Sequence, residues 1–341
     1  MLRSSPLHRP VTRADDGGGV TGPLVIGHRG ASGHRPEHTA LAYQLAWRSG
    51  ADSVEPDVVC TRDGILVCRH DLDLAPTTDV ATRPEFASKR RTMEVDGEVV
   101  DGWFVQDFFL EELKELRARE RWPKKRPGSA MYDDLLPVLT LEELLDLREQ
   151  ESARAGRPLG VHIEIKHAAL FRDLRMPLHE SLVAILRERR LDSSLGPVSV
   201  MSFEAEVLKQ LRRDLQVEMV QLVDEHDSVR FRRMQKIGGY ASAVGLSKHL
   251  VLPRDAAGNV GEPGPGVQAS FRAGLDVLVW TLRSENSHLP ANLRSGGPAR
   301  EHGDAATEVS RLLDLGVDGL VTDFPEVAAS VRADRVGAIA L

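Results

Sequence analysis

Cysteine is nearly absent: Cys60 and Cys68 are the only two in 341 residues. That excludes a disulfide-built scaffold and fits a reducing, cytoplasmic setting. A two-residue turn at Asp63-Gly64 pairs Thr61 with Ile65, which leaves the two thiols out of register for a bridge, so both read as reduced, small core residues. Long apolar runs are lacking too. No segment reaches the roughly 18 to 20 residues that span a bilayer. The opening MLRSSPLHRPVTRADDGGG is basic but carries no apolar stretch of the kind a signal peptide needs, and 1–22 reads as a disordered arm. Nor is there an excess of basic residues. A net charge of −7 speaks against a nucleic-acid surface, although a bound cation reverses the sign locally inside a site.

What the chain does have is 41% apolar residues, enough for a large core, and a regular rhythm. Eight strand-like runs lie at 24–28, 52–58, 160–166, 197–202, 216–222, 240–246, 275–281 and 317–322. Helical patterns fall between them, most clearly at 39–49, 140–151, 178–190, 203–213, 304–315 and 325–332, with a shorter one near 266–273 after a Gly/Pro-rich loop at 253–266. Alternating strand and helix means parallel strands. A doubly wound open sheet gives similar local patterns, but a count of eight favours a closed TIM-type (β/α)8 barrel. Residues 72–133 break the rhythm and exceed the 2–6 residues of an ordinary connection, so they read as an inserted subdomain over the C-terminal mouth. The barrel then comprises 23–71 and 134–332, with a tail at 333–341. Within the insert, 111–126 is rich in basic residues. It reads as a solvated helix and turn, since no apolar anchor face supports docking on anionic lipid.

Reactive side chains gather at the strand exits. Residues two apart share a face of a strand, so Glu55 and Asp57 point together, and His162, Glu164 and Lys166 do the same. Buried carboxylates cost several kcal/mol each unless paired or metal-bound. Three of them, Glu55, Asp57 and Glu164, make an oxygen-only site suited to Mg²⁺, Ca²⁺ or Mn²⁺. An ion-pair network with Arg29 and Lys166 is the structural alternative, and the two are compatible. His28 and His70 each close an apolar run, where two imidazoles suit acid–base chemistry near neutral pH. Arg29 offers a planar fork for phosphate oxygens and Lys166 a compact charge.

Taken together, His28-Arg29-Gly30, Pro36-Glu37-x-Thr39, Glu55-x-Asp57, His70-Asp71, Glu164-x-Lys166, Trp280 and Asp318-Gly319-x-x-Thr322-Asp323-x-Pro325 resemble the glycerophosphodiester phosphodiesterase family over about 24–330. The segments at 77–80, 101–104 and 139–142 are similar to its long-insert bacterial type. The resemblance implies a TIM-type barrel that hydrolyses small-molecule glycerophosphodiesters, such as glycerophosphocholine or glycerophosphoethanolamine, to glycerol 3-phosphate and an alcohol. It implies one divalent cation on Glu55, Asp57 and Glu164, an acid/base pair in His28 and His70, phosphate contacts from Arg29 and Lys166, and Trp280 lining the substrate pocket. Packing outside the barrel is the plainer role for Trp280. A lysophospholipase D-like activity on the same barrel, or a catalytically silent phosphodiester-binding barrel, are the competing functions. Where the family usually has Asn, this chain has His38.

Overall fold

The computed structural model describes residues 22–339. The arm expected at 1–22 lies outside them except for Gly22. Among the described residues twelve strands occur: β1 (Leu24–His28), β2 (Ser53–Glu55), β3 (Asp57–Cys60), β4 (Leu66–Cys68), β5 (Arg91–Val95), β6 (Glu98–Gly102), β7 (Gly160–Ile165), β8 (Val198–Ser202), β9 (Glu218–Val223), β10 (Ala243–Ser247), β11 (Asp276–Leu282) and β12 (Gly319–Thr322). Strands β1, β2, β7, β8, β9, β10, β11 and β12 pair side by side in that order. All their pairings are parallel, and β12 returns to β1 to close the ring. The fold is a (β/α)8 barrel.

Two apolar layers hold it. Ile26, Met201, Val220, Leu222, Ala243, Leu278 and Val321 fill the interior, while a much larger cluster packs between the strands and the helices outside. The helices form where the sequence supplies caps. Helix α1 (Ala40–Arg48) starts at Thr39, whose Oγ1 accepts from Ala42 N, and it buries Ala42, Tyr43, Ala46 and Trp47. Gly30, at φ +89°, turns the chain between β1 and α1; a Cβ there would sit 2.5 Å from the Ala42 backbone, so no larger residue fits.

Pro56 separates β2 from β3. It offers no N–H, but its carbonyl accepts from Glu164 N at 2.8 Å, and β3 stays paired with β7. Strands β3 and β4 then rise as an antiparallel hairpin with its turn at Asp63-Gly64. Cys60 faces Leu66 and Cys68 faces Val58, so both thiols are free and buried.

The insert carries helices α2 (Leu110–Glu115) and α3 (Pro127–Ala130) and the β5–β6 hairpin. Its Phe86, Phe104, Phe108, Leu113 and Leu116 belong to the same apolar cluster as the barrel's outer layer. Then follow α4 (Leu141–Ala155), α5 (Ala168–Asp173), α6 (Leu178–Glu188), α7 (Ala205–Asp214), α8 (Phe231–Ile237), α9 (Lys248–Val251), α10 (Gly266–Arg272), α11 (Ala305–Asp314) and α12 (Pro325–Ile339). The short, charged α5 and α8 have no clear apolar period in the sequence. Helix α12 runs on through most of the segment expected to be a tail. Arg332 pairs with Asp52 and Arg335 with Asp314, and these contacts carry the helix beyond its apolar stripe. Among the described residues no helix is long and apolar enough to cross a membrane.

Candidate active site

Parallel strands deliver their C-terminal ends to one rim, where (β/α)8 barrels build their sites. His28 ends β1, Glu55 ends β2, Asp57 opens β3, and Glu164 and Lys166 lie at the end of β7. The β3–β4 hairpin rises above the rim and comes back: Arg69 N donates to Asp57 O at 2.9 Å, which sets His70 beside the carboxylates. A cavity of about 560 Å³ opens at this rim, and His28, Arg29, Glu55, His70, Glu164, Lys166 and Trp280 line it. Asp57 sits just behind, buried and registered opposite Glu164.

The three acids each offer an oxygen within 4.8 Å of the others. Glu55 Oε1 and Asp57 Oδ1 are buried with no hydrogen-bond partner among the described residues. Burial, reinforced by the Asp57 and Glu164 charges, pushes Glu55 well above the usual carboxylate range. Glu164 rises to about 7, chiefly through burial, with Lys166 opposing. Burial would raise Asp57 as well, but Arg29 and Lys166 override it and hold that carboxyl well down. Crowded, buried oxygens with two unpartnered atoms fit a hard divalent cation better than they fit any internal ion pair.

Each histidine is held by an aspartate. His28 Nδ1 lies 2.6 Å from Asp323 Oδ1, and His70 Nδ1 lies 2.6 Å from Asp71 Oδ1. Such a bond fixes the ring and leaves Nε2 for other chemistry. Burial, aided by Arg29, depresses both imidazoles to about 4, so they are neutral near pH 7. Arg29 has φ +56° and spans the site: its N donates to Glu55 Oε2 at 3.0 Å, Nη1 to Glu37 Oε1 at 3.1 Å, and Nε lies 3.1 Å from Asp57 Oδ2. Lys166 Nζ lies 2.9 Å from Glu164 Oε1 and 3.8 Å from Asp57 Oδ1.

His162 shares the inward face of β7 but sits deeper, with Nδ1 2.7 Å from Ser53 Oγ, and does not line the cavity. His38 adopts φ +58°, a region that Asn, Asp and His tolerate better than most residues. It bridges Asp57 Oδ2 (3.0 Å from Nε2) to Tyr43 Oη (2.7 Å from Nδ1). Trp280 packs edge-on against Phe203 at 5.5 Å between centroids, and its Nε1 donates to Gly245 O. Its ring faces the cavity rather than the outer shell.

The basic stretch of the insert corrects its reading as solvated. Arg121 grips Glu37 (Nη2 2.7 Å from Oε1) and Asp71 (Nη1 2.7 Å from Oδ2). Arg126 is buried, with Nε 2.6 Å from Glu285 Oε1 and Nη2 2.5 Å from Asp323 Oδ2. These guanidinium groups turn inward because buried carboxylates from both ends of the barrel chain await them. Sequence spacing gave no sign of this, since the partners lie 84 and 197 residues away.

Comparison with known proteins finds a family match over most of the chain. A model described as the glycerophosphoryl diester phosphodiesterase family matches residues 28–327. A glycerophosphodiester phosphodiesterase of Arabidopsis thaliana is 29% identical over 327 residues, covering 89% of this chain and 84% of that protein. One from Bacillus subtilis is 28% identical over 316 residues, covering 91% of this chain and 86% of its own length. Among solved structures, a glycerophosphoryl diester phosphodiesterase from Silicibacter pomeroyi, named as putative, superposes with a TM-score of 0.67 at 21% identity, covering 94% of this chain and 96% of that one. An Oleispira antarctica phosphodiesterase in complex with the product sn-glycerol-3-phosphate gives 0.61 at 21% identity, covering 91% and 96%.

Proposed function

Because this chain belongs to the glycerophosphoryl diester phosphodiesterase family, we propose that it hydrolyses glycerophosphodiesters to glycerol 3-phosphate and an alcohol, with His28 and His70 as the acid–base pair. It is an enzyme, a phosphoric diester hydrolase. The observation that carries the proposed mechanism is the pair of aspartate-held imidazoles lining one cavity with Arg29, Lys166 and the buried carboxylates.

Glu55, Asp57 and Glu164 would hold one divalent cation, Mg²⁺, Ca²⁺ or Mn²⁺, which supplies Lewis-acid polarisation of the phosphoryl group. Arg29 and Lys166 bind the non-bridging phosphate oxygens and stabilise charge as it builds there. The attacking hydroxyl is the substrate's own glycerol 2-hydroxyl. One imidazole Nε2 takes its proton as the new P–O bond forms, and the other gives a proton to the departing alcohol oxygen as the old bond breaks. A water molecule then opens the cyclic phosphate with the two roles reversed. Both rings are held neutral, largely through burial and the Arg29 charge, and a bound phosphodiester anion raises the pKa of the ring that must act as acid.

The test is release of sn-glycerol 3-phosphate from glycerophosphocholine and glycerophosphoethanolamine. His28→Ala and His70→Ala are each expected to lower kcat at least a hundredfold. Unchanged turnover in either variant defeats the assignment. Turnover of a substrate lacking the 2-hydroxyl, with no cyclic product trapped, defeats the cyclic route alone.

A further inference from the structure

The staves of the barrel that carry the carboxylates, β2–β3 and β7, stand across the mouth from β10 and β11. The two sides differ sharply in charge. Across the mouth, the His288 carbonyl accepts from both Lys248 Nζ and Arg254 Nη2, each at 2.9 Å. Its ring Nε2 lies 3.0 Å from Lys125 Nζ, which reaches over from the insert. Arg283 stands beside them, stacked over Trp122. Four cations therefore surround one residue.

Two of these charges are cancelled. Lys248 is buried against Glu308, with both oxygens at 3.0 Å, and Arg283 Nε lies 2.8 Å from Asp323 Oδ2. Lys125 and Arg254 make no ion pair among the described residues. His288 adds no charge of its own to the cluster. It is neutral, depressed to about 3 by burial and by Arg283, Lys125 and Lys248. Uncompensated positive charge at the edge of a pocket attracts an anion. The scissile phosphate does not fill this need, because Arg29 and Lys166 meet it at the opposite wall. Glycerol carries no ionisable group, so the anion must lie on the other arm of the diester.

Resting on the function proposed above, we infer that this rim selects glycerophosphodiesters whose alcohol arm bears a second anionic group, a phosphate or a carboxylate. Asp224 and Glu225 also line the cavity, near Phe203 and Trp280, and would suit a quaternary ammonium instead. Among the described residues, however, neither lies within ion-pair distance of Lys125 or Arg254. Asp224 Oδ1 accepts from His226 N, and Glu225 lies 3.8 Å from the His226 ring.

The experiment compares kcat/KM for glycerophosphocholine, glycerophosphoglycerol, glycerophosphoglycerol phosphate and glycerophosphoglycerate. The last two are expected to exceed glycerophosphoglycerol by roughly tenfold at low salt, with the advantage shrinking as ionic strength rises. A phosphate-only advantage identifies a phosphomonoester arm, and an equal advantage identifies general anion selection. Arg254→Ala and Lys125→Ala, both changes at solvent-accessible side chains, should each erase most of that advantage while leaving glycerophosphoglycerol within about twofold. Glycerophosphocholine matching or exceeding the anionic diesters, or variants that slow all four alike, overturns the inference. Failure to turn over any of the four defeats the underlying function as well, so the two failures are told apart.

Discussion

Asp323 orients His28 from the opposite end of the chain: their side chains meet at 2.6 Å although 295 residues separate them. The same carboxylate takes Arg126 and Arg283 on its other oxygen, so ring, insert and final strand are tied at one point. His70 has a simpler tie, to Asp71 alone among the aspartates.

This difference separates two predictions about positioning. Asp71→Asn should lower kcat about 10- to 100-fold with little change in KM and a smaller fall in melting temperature, because the only other partner it gives up, the half-buried Arg121, keeps Glu37. Asp323→Asn should lower kcat similarly but lower the melting temperature more, since Arg126 loses half its countercharge. Steady-state kinetics and calorimetry on both variants check this. Equal melting temperatures would contradict it.

Arg126→Ala strands Glu285 in the interior without its cation and leaves Asp323 with Arg283 alone. Breaking a buried pair this way costs roughly 3–5 kcal/mol. Urea unfolding should show a loss of that order, and Arg126→Lys should recover only part because one point charge cannot serve both carboxylates and Ser32 O together.

Metal binding should depend on pH with a definite sign. Burial lifts Glu164 to about 7 and pushes Glu55 well above the usual carboxylate range. Raised carboxylate pKa values mean that the folded, metal-free protein loses stability as pH rises from the unfolded values near 4 through the folded ones. Adding Mg²⁺, Ca²⁺ or Mn²⁺ at pH 8 should therefore raise the melting temperature, and the rise should fade by about pH 5.5 as Glu164 takes up a proton. Glu164→Gln should abolish the shift while stabilising the metal-free protein at pH 8, on the order of 2 kcal/mol. A metal shift that persists undiminished at pH 5.5 would refute the assignment.

His38 should matter through Asp57. His38→Asn keeps a side-chain donor near Asp57 and tolerates the left-handed backbone, whereas His38→Ala does neither. Metal affinity measured by calorimetry is expected to fall about tenfold in the Ala variant and by less in the Asn variant.

Both thiols should be inert in the native state. Burial pushes Cys60 up to about 12 and Cys68 higher still. A chromogenic disulfide reagent should titrate neither until denaturant is added.

Much of this was legible from pattern. The parallel strands announced themselves as short apolar runs separated by helical periods, and the residues that crowd the rim were those at strand exits. The inward turn of Arg121 and Arg126 was not readable. A basic helix-and-turn segment looks solvated until its buried acidic partners are known, and those come from distant strands. The roles of Asp71 and Asp323 were hidden for a related reason: an acid near a histidine in sequence, or far from it, says nothing about which ring nitrogen it holds. Helices α5 and α8 were missed because six or seven residues, several of them charged, carry too little periodicity to register.

The pairing of β1 with β12 has a consequence for synthesis. The first reactive histidine emerges from the ribosome early, yet its orienting acid and its neighbouring stave are translated almost last. Until residue 323 clears the exit tunnel, β1 exposes an unsatisfied edge and no competent centre exists. A nascent chain stalled near residue 310 should be open to protease and inert, however well its middle has folded.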